Sequence, residues 1–84
     1  MKPSKTLKKI LDRSTSIRFA DMAALVEAHG FHLSRVNGSH HIFVHPDVPE
    51  LINLQDVKGQ AKPYQISQFL RLVERYNLGL GDES

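Results

Sequence analysis

Two runs of alternating residues, FHLSRV from Phe31 and HHIFVH from His40, face each other across the tripeptide Asn37-Gly38-Ser39. Alternation with a period of two belongs to a half-buried strand, and Asn-Gly between two such runs is the strongest short-range hairpin signal. A sheet this small must be covered on one face to be stable, so the flanking segments have to supply both a further strand and helices. They do. HPDVPE, with prolines at 46 and 49, reads as a turn, and LINLQ (51–55) follows as a short third strand. Upstream, Ala20–His29 presents Met22, Leu25, Val26 and His29 on one helical face, with Asp21 in the first turn and Gly30 suited to a left-handed cap. Downstream, the loop DVKGQAK leads to Pro63, placed to open a helix that shows Ile66, Phe69, Leu70 and Val73 at spacings of three and four.

Ahead of these lies a short helix over Lys5–Asp12, capped by Ser4 and carrying Leu7, Ile10 and Leu11, which is expected to pack weakly. STSIR then breaks the pattern, and the tail NLGLGDES has no face to bury and is expected to fray. The expected fold is therefore α+β, with α-β-β-β-α order: a three-stranded antiparallel sheet, two helices on one face, and a short N-terminal helix in addition. Its other face is open. The organisation is a basic extension over 1–18, a domain over 19–78 and a flexible tail over 79–84.

Bulk properties narrow the function. Eighty-four residues, 40% hydrophobic and 24% charged, make one globular domain rather than a disordered chain. No cysteine is present, which excludes disulfides and thiolate metal sites and makes a reducing compartment, the cytoplasm, the default expectation. No apolar run is long enough for a membrane span, and the start MKPSKTLKKILDRS lacks the apolar segment of a secretory signal. The net charge of +2 hides an asymmetry: Lys2, Lys5, Lys8, Lys9 and Arg13 face only Asp12 at the N-terminus, and the remainder is slightly acidic. Such an arm can attract a polyanion such as RNA, or can simply be solvated.

Five histidines, three of them within His40–His45, raise the question of metal binding. Adjacent strand residues point to opposite faces, so His40 and His41 cannot easily share an ion, and no HxH or HExxH spacing occurs. His29 at a helix end is suited to meeting the last carbonyls, and His32 reads as a half-exposed strand residue. A two-residue Asn37-Gly38 loop pairs Arg35 with His40, whereas a three-residue Asn37-Gly38-Ser39 loop pairs Val36 with His40 and Arg35 with His41. The three-residue loop is preferred, because it gathers Phe31, Leu33 and Phe43 on the core face with His41 and His45 at the margins. It leaves His40 on the open face beside Ser34, Ile42 and Val44, where one accessible imidazole next to a Gly-Ser turn could transfer protons near neutral pH.

These residues resemble a known family. The run Gly30-Phe31, Arg35, Gly38-Ser39-His40-His41, Phe43 and His45-Pro46, followed by a short aliphatic strand and by Lys62-Pro63 opening the last helix, is similar to the HicA toxins. That family consists of small ribonucleases of bacterial and archaeal toxin-antitoxin pairs, and the resemblance spans Phe19 to Leu78. It implies a fold like that of double-stranded RNA-binding domains, and cleavage of messenger RNA without metal or other cofactor. It also implies a HicB-type antitoxin partner that covers the active site. The family's catalytic histidine corresponds to His40. Gly38 and Ser39 would position a phosphate, and Lys58, Lys62 and Arg35 would bind RNA and offset its charge. Three departures stand out: the extra residues 1–18, Ala20 in place of a capping Ser or Thr, and apolar Ile42 and Val44 where basic or polar residues are common. The last of these suits a protein partner as well as RNA. A domain of this fold that binds RNA without cleaving it is the competing expectation.

Overall fold

The structure, a computed structural model, describes residues 2–12 and 16–80. Its elements are α1 (Pro3–Leu11), α2 (Phe19–Ala28), β1 (His32–Asn37), β2 (His40–His45), β3 (Val48–Gln55) and α3 (Pro63–Arg75). The strands form one antiparallel sheet in the order β1-β2-β3. This is the α+β fold expected, with α1 added before the α-β-β-β-α order.

Proline sets the start of two helices. Pro3 and Pro63 occupy the first turns of α1 and α3, where a missing N–H leaves no helical bond unmade and the fixed φ favours the helix. For this reason α1 begins two residues earlier than Ser4 capping would place it, with Lys2 as its N-cap. α1 also packs more firmly than its short apolar pattern suggests. α2 (FADMAALVEA) has only Asp21 and Glu27 to interrupt its apolar surface, so the sheet alone cannot cover it. α1 lies against α2, burying Thr6 completely and packing Leu7 and Ile10 at the margin of the core.

The core between helices and sheet holds Met22, Leu25 and Val26 from α2, Phe43, Ile52 and Leu54 from the sheet, and Ile66, Phe69 and Leu72 from α3. Phe31, just ahead of β1, is buried with its ring 6.2 Å from that of Phe69, edge to face. Beyond α3, Leu78 and Leu80 pack at the edge of this cluster, although the sequence pattern gave that tail no face to bury; residues 81–84 lie outside the described residues. β3 starts at Val48 rather than Leu51. Pro46-Asp47 suffices as the turn, and Pro49 is tolerated because β3 is an edge strand, where one row of N–H groups has no strand to meet.

The hairpin register differs from both loops weighed on sequence. Gly38-Ser39 is the two-residue turn, so Asn37 pairs with His40, Val36 with His41 and Arg35 with Ile42. Gly38 alone in this turn has positive φ (+61°), the pattern of a type II′ turn, which asks for glycine at its first central position. A bulge at Ser34 then shifts the ladder by one residue, so that Leu33 lies opposite Phe43 and His32 opposite Val44. The faces nevertheless come out as read. Phe43, with His41 and His45 on either side, faces the helices, while His40, Ile42 and Val44 lie on the side that no described element covers.

Candidate active site

Four histidines have evident structural or peripheral roles, and their geometry separates them from the fifth. His29, the C-cap of α2, is buried, with Nδ1 2.9 Å from the Leu25 carbonyl and its ring edge-on to Phe69 at 5.1 Å. His41 places Nδ1 3.2 Å from the Ser39 carbonyl and leans on the Phe19 ring at 4.6 Å. His45 accepts the Asp47 N–H on Nδ1 at 3.0 Å and meets the Phe31 ring at 5.0 Å. It also explains Gly30: the chain there has φ +94°, and a Cβ would come within 2.8 Å of the His45 Nε2. His32 is exposed on the open face opposite Val44, four residues along β2 from His40, hence about 13 Å away at the rise of a strand.

His40 opens β2 on the uncovered face. Its Nδ1 lies 3.1 Å from Oδ1 of Asn53, its diagonal neighbour on β3. An amide oxygen only accepts, so Nδ1 donates its hydrogen and Nε2 carries the lone pair. Nε2 has no partner among the described residues. The imidazole is thus held in one tautomer and orientation with its basic nitrogen free, the arrangement a proton-transfer group needs. Asn53 escaped the sequence reading. Only the register of β3 against β2 puts it beside His40, and a lone asparagine in LINLQ gives no other signal.

The remaining residues are gathered by the turns at this end of the sheet. Gly38 and Ser39 precede His40 directly, and Ser39 accepts the N–H of Asp56 at 3.0 Å, which brings the segment after β3 alongside the hairpin turn. That segment folds back at once: Val57 and Gln60 exchange both backbone bonds, and Lys58 (φ +53°) and Gly59 (φ +82°) form the two left-handed positions of a type I′ turn. The Asp56 carboxylate fixes the turn by accepting the Gly59 N–H at 2.7 Å. Lys58 is therefore exposed at a rigid tip. Lys62 is the N-cap of α3, its Nζ 5.8 Å from the centre of the Tyr64 ring. Arg35 stands on the open face of β1 opposite Ile42, diagonal to His40.

A further cation, Arg18, was missed on sequence. It is the exposed N-cap of α2, and it reaches this end because it bridges to Gln60 while Phe19 donates its N–H to Gly59. Both α2 and α3 begin here, each with a basic N-cap residue that makes no side-chain capping bond, so the positive ends of two helix dipoles add to the cations. An anion is the natural occupant of such a corner.

The open face between these points is mixed. Arg35, Asn53 and His40 are polar, whereas Ile42 is half-buried and Val44 and Leu51 are 39% and 48% exposed. Among the described residues, no group of three or more His, Asp or Glu side chains is placed to hold a metal ion. No described helix is long and apolar enough to cross a membrane.

None of the curated proteins matches the chain. The family model described as "HicA toxin of bacterial toxin-antitoxin" matches residues 19–74, from the first residue of α2 to the last turn of α3. That span takes in His40, its turn, Asn53 and both lysines, so the chain belongs to the HicA toxin family, the toxin side of bacterial toxin-antitoxin pairs, which implies a cognate antitoxin partner.

Proposed function

We propose that this toxin is an endoribonuclease that cleaves messenger RNA, with His40 as its acid-base group. RNA brings its own nucleophile. Nε2 of His40 takes the proton of a 2′-hydroxyl, whose oxygen bonds to the adjacent phosphorus while the bond from phosphorus to the 5′-oxygen breaks. The leaving oxygen collects a proton from the imidazolium or from water. The products are a 2′,3′-cyclic phosphate and a 5′-hydroxyl, with no metal ion needed in any step. Backbone groups of Gly38 and Ser39 would position the phosphate, and Lys58, Lys62, Arg35 and Arg18 would offset its charge. With His32 about 13 Å off at the strand rise, one imidazole or water has to serve both proton transfers, and turnover is expected to be slow.

The observation that carries this reading is the His40-Asn53 contact of 3.1 Å on an uncovered face. His29, His41 and His45 have a ring nitrogen committed to the backbone. The test is cleavage of end-labelled RNA in excess EDTA. His40→Ala should fold as the parent does and lose activity by about 100-fold or more, the usual worth of a general acid-base group. Wild type and His40→Ala equally toxic on expression, or products bearing 5′-phosphates, would reject it.

The apolar stripe of Ile42, Val44 and Leu51 favours a second role for the same face. It suits a protein, and an antitoxin seated on it would cover His40. Cleavage that ceases on adding the antitoxin, and returns when Val44→Lys weakens the complex, tests this reading.

A further inference from the structure

Away from the open face, α3 and the margin of β3 enclose a groove of about 380 Å³ lined by Glu50, Tyr64, Gln68, Arg71, Leu72 and Arg75. Tyr64, Gln68, Arg71 and Arg75 recur at spacings of four, three and four, so they form one stripe along the helix. Two features of this stripe have no purpose in packing. Tyr64 is a large aromatic left 62% exposed. Its ring is nonetheless held, with the Lys62 ammonium over it and its hydroxyl accepting a bond from Gln65 Nε2 at 3.3 Å. Arg71 is exposed and makes no ion pair among the described residues. The one carboxylate in the groove, Glu50, is already taken by the Tyr76 hydroxyl at 2.5 Å and by Arg75 at 3.2 Å, so the groove is left with a cationic balance.

The groove is also tied to the candidate active site. Gln65 is buried, and its Oε1 accepts the N–H of Gln55 at 2.7 Å; Gln55 is the residue directly opposite His40 on β3. The same side chain thus fixes the end of the strand beside His40 and the hydroxyl of Tyr64.

We propose that this groove is a subsite for single-stranded RNA, in which a base stacks on Tyr64 and a phosphate pairs with Arg71. It rests on the nuclease reading above and extends it by giving the substrate a second point of attachment, around the end of β3 from His40. An exposed ring flanked by cations is the pairing that single-stranded nucleic acid uses, because every base has a π-face and every linkage a charge. The groove's cations and exposed ring favour RNA over an acidic protein, which would leave Tyr64 without a matching partner.

The experiment measures binding of a short fluorescent single-stranded RNA by anisotropy, in a His40→Ala background that does not cut the probe. Tyr64→Ala should weaken binding by roughly 5- to 150-fold, the range for loss of one stacked base, and Tyr64→Phe, which keeps the ring, should restore it. Arg71→Ala should lower the slope of log affinity against log salt by about 0.7, the value for one phosphate contact on a single strand. Unchanged affinity in Tyr64→Ala together with an unchanged slope in Arg71→Ala overturns the subsite, whether or not a protein is later found in the groove. Cleavage that depends on His40 while RNA affinity ignores both residues overturns this inference alone. Absence of RNA affinity in every protein, with absence of cleavage by the wild type, overturns the nuclease reading with it.

Discussion

Replacing Gly30 with alanine should damage this fold in two separable ways. The residue ends α2 at φ +94°, donating its N–H to the Glu27 carbonyl at 2.9 Å, and an L-residue held in the left-handed region costs about 1–2 kcal/mol. The added Cβ also falls 2.8 Å from Nε2 and 3.2 Å from Cδ2 of His45, closer than a carbon tolerates. The ring has to move, and moving it weakens its bond from the Asp47 N–H and its edge contact with Phe31. Each is worth about 0.5–1.5 kcal/mol and is weakened rather than abolished, so displacing the ring costs about 1–2 kcal/mol and the two causes together come to about 2–4 kcal/mol. For a domain of this size that lowers Tm by roughly 10–30 °C. The assay is urea and thermal unfolding followed by far-UV circular dichroism, on Gly30→Ala, His45→Ala and the double variant. With the imidazole gone, Gly30→Ala should cost only the backbone strain, giving a coupling of about 1–2 kcal/mol between the positions. Additivity within about 0.5 kcal/mol would refute the argument that the ring is what demands glycine.

Two further outcomes test other contacts. Asn53→Ala, which frees the ring of His40, should reduce cleavage about fivefold for one neutral hydrogen bond. Asn53→Asp places a carboxylate beside the imidazole, favouring its charged form, so the acid limb of the pH-rate profile should move to higher pH; a profile that stays in place, or moves to lower pH, counts against the contact. At the far end of α3, the Tyr76 hydroxyl bond, with help from Arg75, holds the Glu50 carboxyl below its ordinary value, and the same bond to Glu50 raises Tyr76. A lowered carboxyl contributes stability above its unfolded pKa, about 4.3, and loses it as pH falls through the folded value. Wild type should therefore exceed Tyr76→Phe in urea midpoint at neutral pH, and the gap should close in acid. Tyr76, being raised, keeps its contribution until pH climbs past about 10 and through its folded value. A gap that persists unchanged at pH 3 would show that the clamp acts by packing alone.

Much of the architecture was legible in the sequence because period and punctuation agree. The change from helical spacing to alternation after Gly30, the proline that opens α3 and the hairpin signal at Asn37-Gly38-Ser39 place five elements with little ambiguity. Faces were legible too: Phe43 had to be buried, and strand alternation then sent His40 outward. Register was not. Asn37-Gly38 and Gly38-Ser39 are both acceptable turn pairs, and only the sheet decides between them once Phe31 must reach the core. Asn53 was hidden for the same reason, since a diagonal contact follows from register and from nothing local. Arg18 was hidden because a residue at a helix start shows no sign of the loop that will fold against it. The firm packing of α1 was written elsewhere, in the nearly unbroken apolar surface of α2.

The surplus residue at Ser34 has a consequence for how this hairpin tolerates change. Counted back from the turn without it, Phe31 and Leu33 would fall on the same side as His40, and the core would lose the Phe31 ring that packs against Phe69. With it, the strand changes phase midway. The half next to the turn answers to chemistry, setting Arg35 and Asn37 on the side of His40, and the half next to α2 answers to folding, sending Phe31 inward. Substitutions in either half are thereby insulated from the demands of the other. Deleting the one residue would force the chain to choose between an intact interior and an intact reactive corner.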